Sequence, residues 1–218
     1  MRIDSLVNDV FRPAVVATGV TVGGFTTIDD VDVESPVIVG PFCTFKRSVL
    51  GRFFACGHAC SATDVTFGSF VSVGDRAVFN AGVHSKDRLT THLFPYNRAA
   101  WGELVPRSAE TLTWRAPQTI GSDVWVGTNA VLLTGVSVGH GAIVGANSFV
   151  NADVPPYAIY AGSPGKVVGY RFEPGLIERL LSVAWWDLPM ADLEGLPFSD
   201  VEKCLTMLEA KQRSAGLS

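Results

Sequence analysis

Four histidines, at 58, 84, 92 and 140, are the side chains in this sequence best suited to moving a proton near neutral pH. His84 stands in the run Asn80-Ala81-Gly82-Val83-His84-Ser85-Lys86-Asp87. A positioned imidazole can take the proton of an attacking hydroxyl and return it to a leaving group. The competing reading of His84 is a loop histidine satisfied by its neighbours. Asp87 can orient a nearby group or touch an acceptor, and a solvated surface carboxylate is an equal reading. Phe94, Tyr96 and Trp101 offer flat walls of the kind that line pockets for ring-shaped ligands. Their rival role is an aromatic cluster that holds the segment together. With Asn80 and Asp87 they form the candidate acceptor-binding group. His92 reads as a loop residue, and His140, beside Gly139, as a corner residue facing solvent.

Cys56, His58 and Cys60 invite a metal reading. The spacing is not the Cys-x-x-Cys of a zinc pair, and no second ligand pair follows. We read these cysteines as small buried residues and expect no metal. Cys43, Cys56 and Cys60 all precede His84, and Cys204 falls near the C-terminus, so no thiol nucleophile accompanies His84 in sequence.

The elements that must position these residues announce themselves between 120 and 154. Read in sixes, the first slot holds Ile120, Val126, Leu132, Val138, Val144 and Val150. The fifth slot holds Val124, Ala130, Val136, Ala142, Ser148 and Val154. A helix repeats every ~3.6 residues and a strand every ~2, so neither produces this pattern. A parallel β-helix of hexapeptide repeats does, with the first slot in the core and slim residues in the fifth. The expected fold is therefore an all-β solenoid. From Val37 the rhythm is present but slips in phase, once after Cys43 and again near Ala62. Residues 80–118 lack the rhythm altogether and read as a protruding loop, since both flanks are in phase.

Residues 1–36 read as irregular strands, 37–168 as the β-helix, and 169–218 as a helical extension. Pro155 to Lys166 forms a Pro/Gly-rich cap. One helix opens at Glu173-Pro174, and a second at Ser199, capped by Ser199 and Glu202. Both are placed over the open end of the solenoid. The chain has 218 residues, of which 47% are hydrophobic and 17% charged, enough for a full core. A net charge of −4 with scattered Lys and Arg leaves no nucleic-acid footprint. No apolar run is long enough for a membrane span and no signal-peptide core opens the chain, so a cytoplasmic setting is expected.

Phe67-Gly68-Ser69-Phe70-Val71-Ser72-Val73-Gly74, Ala81 to Asp87, Phe94-Pro95-Tyr96, Ile120 to Gly127, Ala161 to Lys166 and Ala184-Trp185-Trp186 resemble, in order and spacing, the hexapeptide xenobiotic acetyltransferases. That group includes chloramphenicol and streptogramin acetyltransferases and related sugar O-acetyltransferases. The likeness covers about residues 65–190, and residues 1–64 depart from it. It implies a left-handed β-helix, a homotrimer with active sites between subunits, and acetyl-CoA as the acetyl donor. It implies that His84 is the general base of a direct transfer to a hydroxyl acceptor, a sugar, glycan or antibiotic-like small molecule. It also implies that Trp125, Gly127, Thr128, Ala146 and Asn151 follow the pantetheine arm, with Lys166 and Arg171 left to meet the CoA phosphates. Little charge on the outer faces, at Ala130, Val131 and Leu133 for instance, fits a homotrimer. Two alternatives share the fold. A γ-carbonic-anhydrase-like zinc hydratase needs three suitably spaced histidines, which His58, His84 and His92 are not. A non-catalytic scaffold would bind no acetyl-CoA.

Overall fold

In the computed structural model, residues 1–10, 12–96, 102–104 and 115–214 are described. The six-residue pattern builds the solenoid it implies. Ile120, Val126, Leu132, Val144 and Val150 are fully buried, and the fifth-slot residues lie beside them in the core. Each coil crosses three faces. The first face carries seven parallel strands, from Val20–Val22 through Val37–Val39, Phe54–Cys56, Ser72–Val73, Trp125–Val126 and Ile143–Val144 to Ala158–Gly162. The second runs through Ser61–Thr63, Val78–Ala81, Val131–Leu133 and Phe149–Val150. The third includes Val65–Phe67 and Gln118–Ile120. The long strand Thr44–Leu50 bends over the second and third faces, pairing with Ser61–Thr63 and then with Val65–Phe67. Inside, Phe45, Phe54, Phe67 and Phe79 meet edge to face, with Phe67 and Phe79 centred 4.8 Å apart. Burying each ring is worth roughly 1.5–3 kcal/mol.

Register explains the phase slips. Partners on neighbouring coils lie 17 residues apart in the early turns, as in Val20–Val37 and Val37–Phe54. They lie 18 apart later, as in Trp125–Ile143 and Val131–Phe149. Three hexads make eighteen, so only the later coils repeat in sixes. The parallel ladders begin at Val20, inside the segment read as irregular. Ahead of them, Arg2–Asn8 and Ala14–Ala17 add antiparallel strands to the first coil.

The three corners turn through residues at positive φ. The first uses Phe25, Phe42, Ala59, Arg76, Asn129 and Asn147, the second Asp30, Arg47, Asp64 and Asn80, the third Phe53, Phe70, Asp123, Gly141 and Tyr157. Asn and Asp tolerate this conformation through their short polar side chains. The phenylalanines do not have that help. They stack instead, Phe25 on Phe42 at 5.3 Å and Phe53 on Phe70 at 4.8 Å.

The C-terminal segment differs from expectation in several places. The Pro/Gly-rich cap is an antiparallel hairpin, Ala158–Gly162 with Gly165–Tyr170. Helices α1 (Pro174–Val183), α2 (Met190–Leu193) and α3 (Val201–Ser214) do not sit over the open end. They pack along the third corner, where Tyr157, Leu180, Val183, Trp186, Leu205 and Leu208 share a second apolar core and Phe70 lies at its edge. The corner's outward aromatics give the helices an apolar seat. Asp200, and not Ser199, caps α3, its carboxylate accepting from Lys203 N–H at 3.0 Å. His140 is half-buried and not turned fully out to solvent. Its ring stacks on Trp186 at 4.6 Å and its Nδ1 accepts from Ser122 N–H at 2.9 Å. Ala130 is buried, and Leu133 packs against the main core, so neither forms the outer apolar face assigned to it. Outward apolar residues lie elsewhere, at Ile38, Trp125 and Val168. Among the described residues no helix is long and apolar enough to cross a membrane.

Candidate active site

The loop leaves the solenoid at the second corner, after Val78–Ala81, and the chain re-enters on the third face at Gln118–Ile120. A polar clasp holds this neck. Asn80 is wholly buried, and its Nδ2 donates to Thr63 O at 2.8 Å. Asn80 N–H donates to Gln118 Oε1 at 2.9 Å, and Gln118 Nε2 donates to Leu133 O at 2.9 Å. Arg115 Nε donates to Asn80 O, and Ala116 N–H to Thr134 Oγ1. Asn80, one of the acceptor-binding candidates, is buried in this neck and anchors the loop. The Asn80 Nδ2 is bonded as a buried donor usually is, whereas its Oδ1 is buried without a hydrogen-bond partner. Arg115, Gln118 and Thr134 were not singled out in sequence. A lone polar Gln at the point where the hexad rhythm resumes was the available signal.

His84 lies four residues beyond Asn80 and is exposed. Its Nδ1 is 2.5 Å from Thr91 O. A carbonyl only accepts, so Nδ1 carries the proton and Nε2 is the basic nitrogen. Asp87 is exposed. Tyr96 is engaged by Arg88, whose guanidinium lies over the ring at 5.1 Å and donates to the phenol oxygen at 3.2 Å. Phe94 N–H donates to His92 Nδ1 at 3.0 Å, and the two rings are 5.9 Å apart. These contacts hold the loop to itself. Trp101 lies outside the described residues.

The second group of candidates runs along the first corner. Trp125 projects outward and is 55% exposed. Gly127 follows it, and a Cβ there would stand 2.5 Å from Ala146 N in the next coil, so the backbones meet without a side chain between them. Thr128 O accepts from Asn147 N–H at 2.9 Å. Gly145 N–H donates to Tyr160 O, and the hairpin then sets Ala161 opposite Lys166. Trp125, Gly127, Thr128, Ala146 and Lys166 therefore line one edge coil by coil, ending in an exposed cation. This slim edge has an aromatic at one end and a cation at the other.

Asn151 and Arg171 are not on that edge. Asn151 follows the second-face strand Phe149–Val150, where its Oδ1 accepts from Tyr160 OH at 3.3 Å. Arg171 is tied to the third corner. It donates to Asp123 Oδ2 at 2.8 Å and Gly141 O at 2.7 Å, and stacks over Tyr157 and Phe172. A cavity of about 230 Å³ beside it, lined by Tyr157, Trp185 and Leu205 among others, belongs to the helix packing. The Tyr157 phenol there is pushed above its ordinary pKa by burial and then by Asp123.

Residues 119–152 match the family model described as bacterial transferase hexapeptide (six repeats). Over 175 residues the chain is 32% identical to a chloramphenicol acetyltransferase of Agrobacterium fabrum, covering 76% of this chain and 82% of that one. The chain belongs to the hexapeptide-repeat acetyltransferase family. Two further members are a chloramphenicol acetyltransferase of Escherichia coli, 37% identical over 136 residues, and a probable macrolide acetyltransferase of Lysinibacillus sphaericus, 38% identical over 117. Those matches cover 60% and 54% of this chain, and 63% and 64% of the relatives' own lengths. Among solved structures, a maltose O-acetyltransferase from Clostridium difficile aligns at 19% identity over 66% of this chain and 68% of its own, with a TM-score of 0.44.

In this family member the two candidate groups belong to different corners. The loop stands at the second corner and the slim edge at the first. The second face, with strands of two to four residues, lies between those two corners.

Proposed function

We propose that this chain is an acetyl-CoA-dependent O-acetyltransferase whose acceptor is a hydroxyl of a sugar, glycan or antibiotic-like small molecule. The observation that supports the reading is that the His84 loop departs at the second corner while the slim edge lies at the first. Neither group makes a site by itself. A homotrimer in which each first corner faces a neighbour's second corner completes three sites. The outward apolar residues Ile38, Trp125 and Val168 favour such burial.

Acetyl-CoA supplies the activated acetyl group as a thioester. The edge from Trp125 to Ala146 aligns its arm, and Lys166 meets phosphate. Thr91 holds His84 with Nε2 as the base. Nε2 takes the acceptor's hydroxyl proton as the oxygen attacks and returns it to the departing sulfur. No acetyl-enzyme is needed. Cys43, Cys56 and Cys60 are sealed in the core and Cys204 lies on α3, so among the described residues no thiol stands beside His84. The names of the relatives weigh toward an antibiotic hydroxyl. A cytoplasmic setting fits the cofactor supply and the free thiols.

A zinc hydratase finds little support. His58 is held by Asp75 at 3.0 Å and by Arg76 on the first corner, while His84 and His92 are in the loop. The deciding experiment follows thiol release from acetyl-CoA against chloramphenicol, a macrolide and a panel of sugars. Acceptor-dependent release is expected. No release together with no acetyl-CoA binding would leave only the scaffold reading.

A further inference from the structure

The three cysteines read as packing residues converge on one point inside the first corner. Each comes from a column that runs through the coils. Val22, Val39, Cys56, Val73, Val126 and Val144 precede the corner, with Tyr160 at the column's end, so that Cys56 sits between valines on both sides. Thr26, Cys43, Cys60, Ala77, Ala130 and Ser148 follow it. Cys43 thus lies directly on Cys60 in the next coil, and Cys56 reaches them from across the turn. Coil register creates the cluster, and linear spacing hides it.

The three sulfurs lie within 4.8 Å of one another, and Cys43 and Cys56 are 3.9 Å apart. All three are buried, Cys56 at 8% exposure being the most open. A cation bound trigonally at ~2.3 Å from each sulfur needs sulfurs ~4 Å apart. The Cys43–Cys56 pair already stands at that spacing, and no separation in the cluster exceeds it by more than about 0.8 Å. No His, Asp or Glu joins the cluster among the described residues. Structural zinc takes four ligands, whereas soft sulfur donors suit monovalent copper. Cys60 N–H points at Cys43 Sγ from 3.4 Å and can stabilise a thiolate there.

We propose that Cys43, Cys56 and Cys60 form a three-coordinate site for Cu(I), separate from the acetyl-transfer site. Without metal, Cys43 and Cys60 donate to the carbonyls of Gly57 and Gly74 at 3.3 and 3.2 Å. Binding breaks S–H bonds, forms Cu–S bonds and releases the protons to solvent, with no electron transferred. Binding therefore tightens as pH rises.

The test uses the full-length protein, reduced and anaerobic, titrated with Cu(I) against a chromophoric Cu(I) chelator. One Cu(I) per chain should resist the competitor, with sulfur-only coordination by X-ray absorption. Cys56→Val restores the column's usual side chain and should fold normally while losing at least about 100-fold in Cu(I) affinity, more than removal of an outer-shell partner costs. Cys43→Ala should behave alike, and Cys204→Ala should bind as the parent does. Failure of the folded parent to hold Cu(I), or equal affinity in folded Cys56→Val, would overturn the proposal. So would loss of the ion on Cys204→Ala.

Discussion

The first and second corners are built from the same kind of coil, yet they differ in what they leave exposed. At the first corner, glycine and alanine bring neighbouring coils together backbone to backbone, and Gly127 leaves no room for a side chain against Ala146. The surface there is a continuous, rigid edge. At the second corner the coil opens after Ala81 and a long segment departs, held by the Asn80–Gln118 clasp. In the function we propose, one corner offers a track and the other a positioned side chain. Repetition makes a good binding track because every coil offers the same groups at the same spacing. A single interruption is what a catalytic group requires, because it must stand at one height only.

The largest effect should come from the interruption. His84→Ala is expected to lower turnover by ~10²–10⁴, the usual worth of a positioned proton acceptor. Acetyl-CoA affinity, which we propose belongs to the other corner, should be unchanged. Turnover and binding measured on the same purified oligomer check both halves. Normal turnover would remove His84 as base.

Mixing subunits tests whether the corners act in trans. Ala146 is exposed on the edge, so Ala146→Trp should block the track and leave the fold intact. Neither Ala146→Trp nor His84→Ala should be active alone. Refolded together at equal amounts, they should recover roughly a quarter of parental activity, because in a closed ring one interface in four pairs an intact loop with an intact edge. No recovery in verified mixed oligomers would mean that both groups act within one chain.

The clasp gives a smaller effect. Gln118 is 1% exposed and bridges Asn80 N–H to Leu133 O. Gln118→Leu should cost about 1–3 kcal/mol by leaving these backbone groups unpaired. Chemical denaturation reads the loss. Any remaining folded enzyme should show reduced turnover with unchanged acetyl-CoA binding, since the first corner is untouched.

How much of this was legible depends on commensurability. Eighteen-residue coils repeat in sixes, so Ile120 to Val154 could be read directly. Seventeen-residue coils are as regular in space, but Val37, Phe54 and Val71 fall out of phase with any hexad count. The convergence of Cys43 with Cys56 and Cys60 was hidden for the same reason. His84 was legible through its motif, whereas its partner Thr91 contributes only a backbone carbonyl, which any residue type supplies. The helices were legible as helices from their apolar stripes. Their seat was not, because it is made by Phe70, Asp123, Gly141 and Tyr157, which share a corner only once the coils are stacked.

Lys166 and Arg171 sharpen the comparison between corners most finely, because both are cations near the end of the chain and sequence treats them alike. Lys166 is exposed at the end of the first-corner edge. A solvated contact between its ammonium and a phosphate is worth about 1 kcal/mol or less. Lys166→Ala should therefore weaken acetyl-CoA binding only a few-fold, and the difference should shrink as salt rises and screens the pair. Arg171 answers to a different corner. Its guanidinium joins Asp123 and Gly141 O to the hairpin, over the rings of Tyr157 and Phe172. Arg171→Ala should leave acetyl-CoA affinity unchanged and lower the melting temperature, because it leaves Asp123 and the Gly141 carbonyl without that donor. Calorimetric titration of both variants, with a thermal melt of each, separates the roles. If Arg171→Ala weakens binding while Lys166→Ala does not, the phosphate end of the track lies at the third corner and the edge assigned here runs the wrong way.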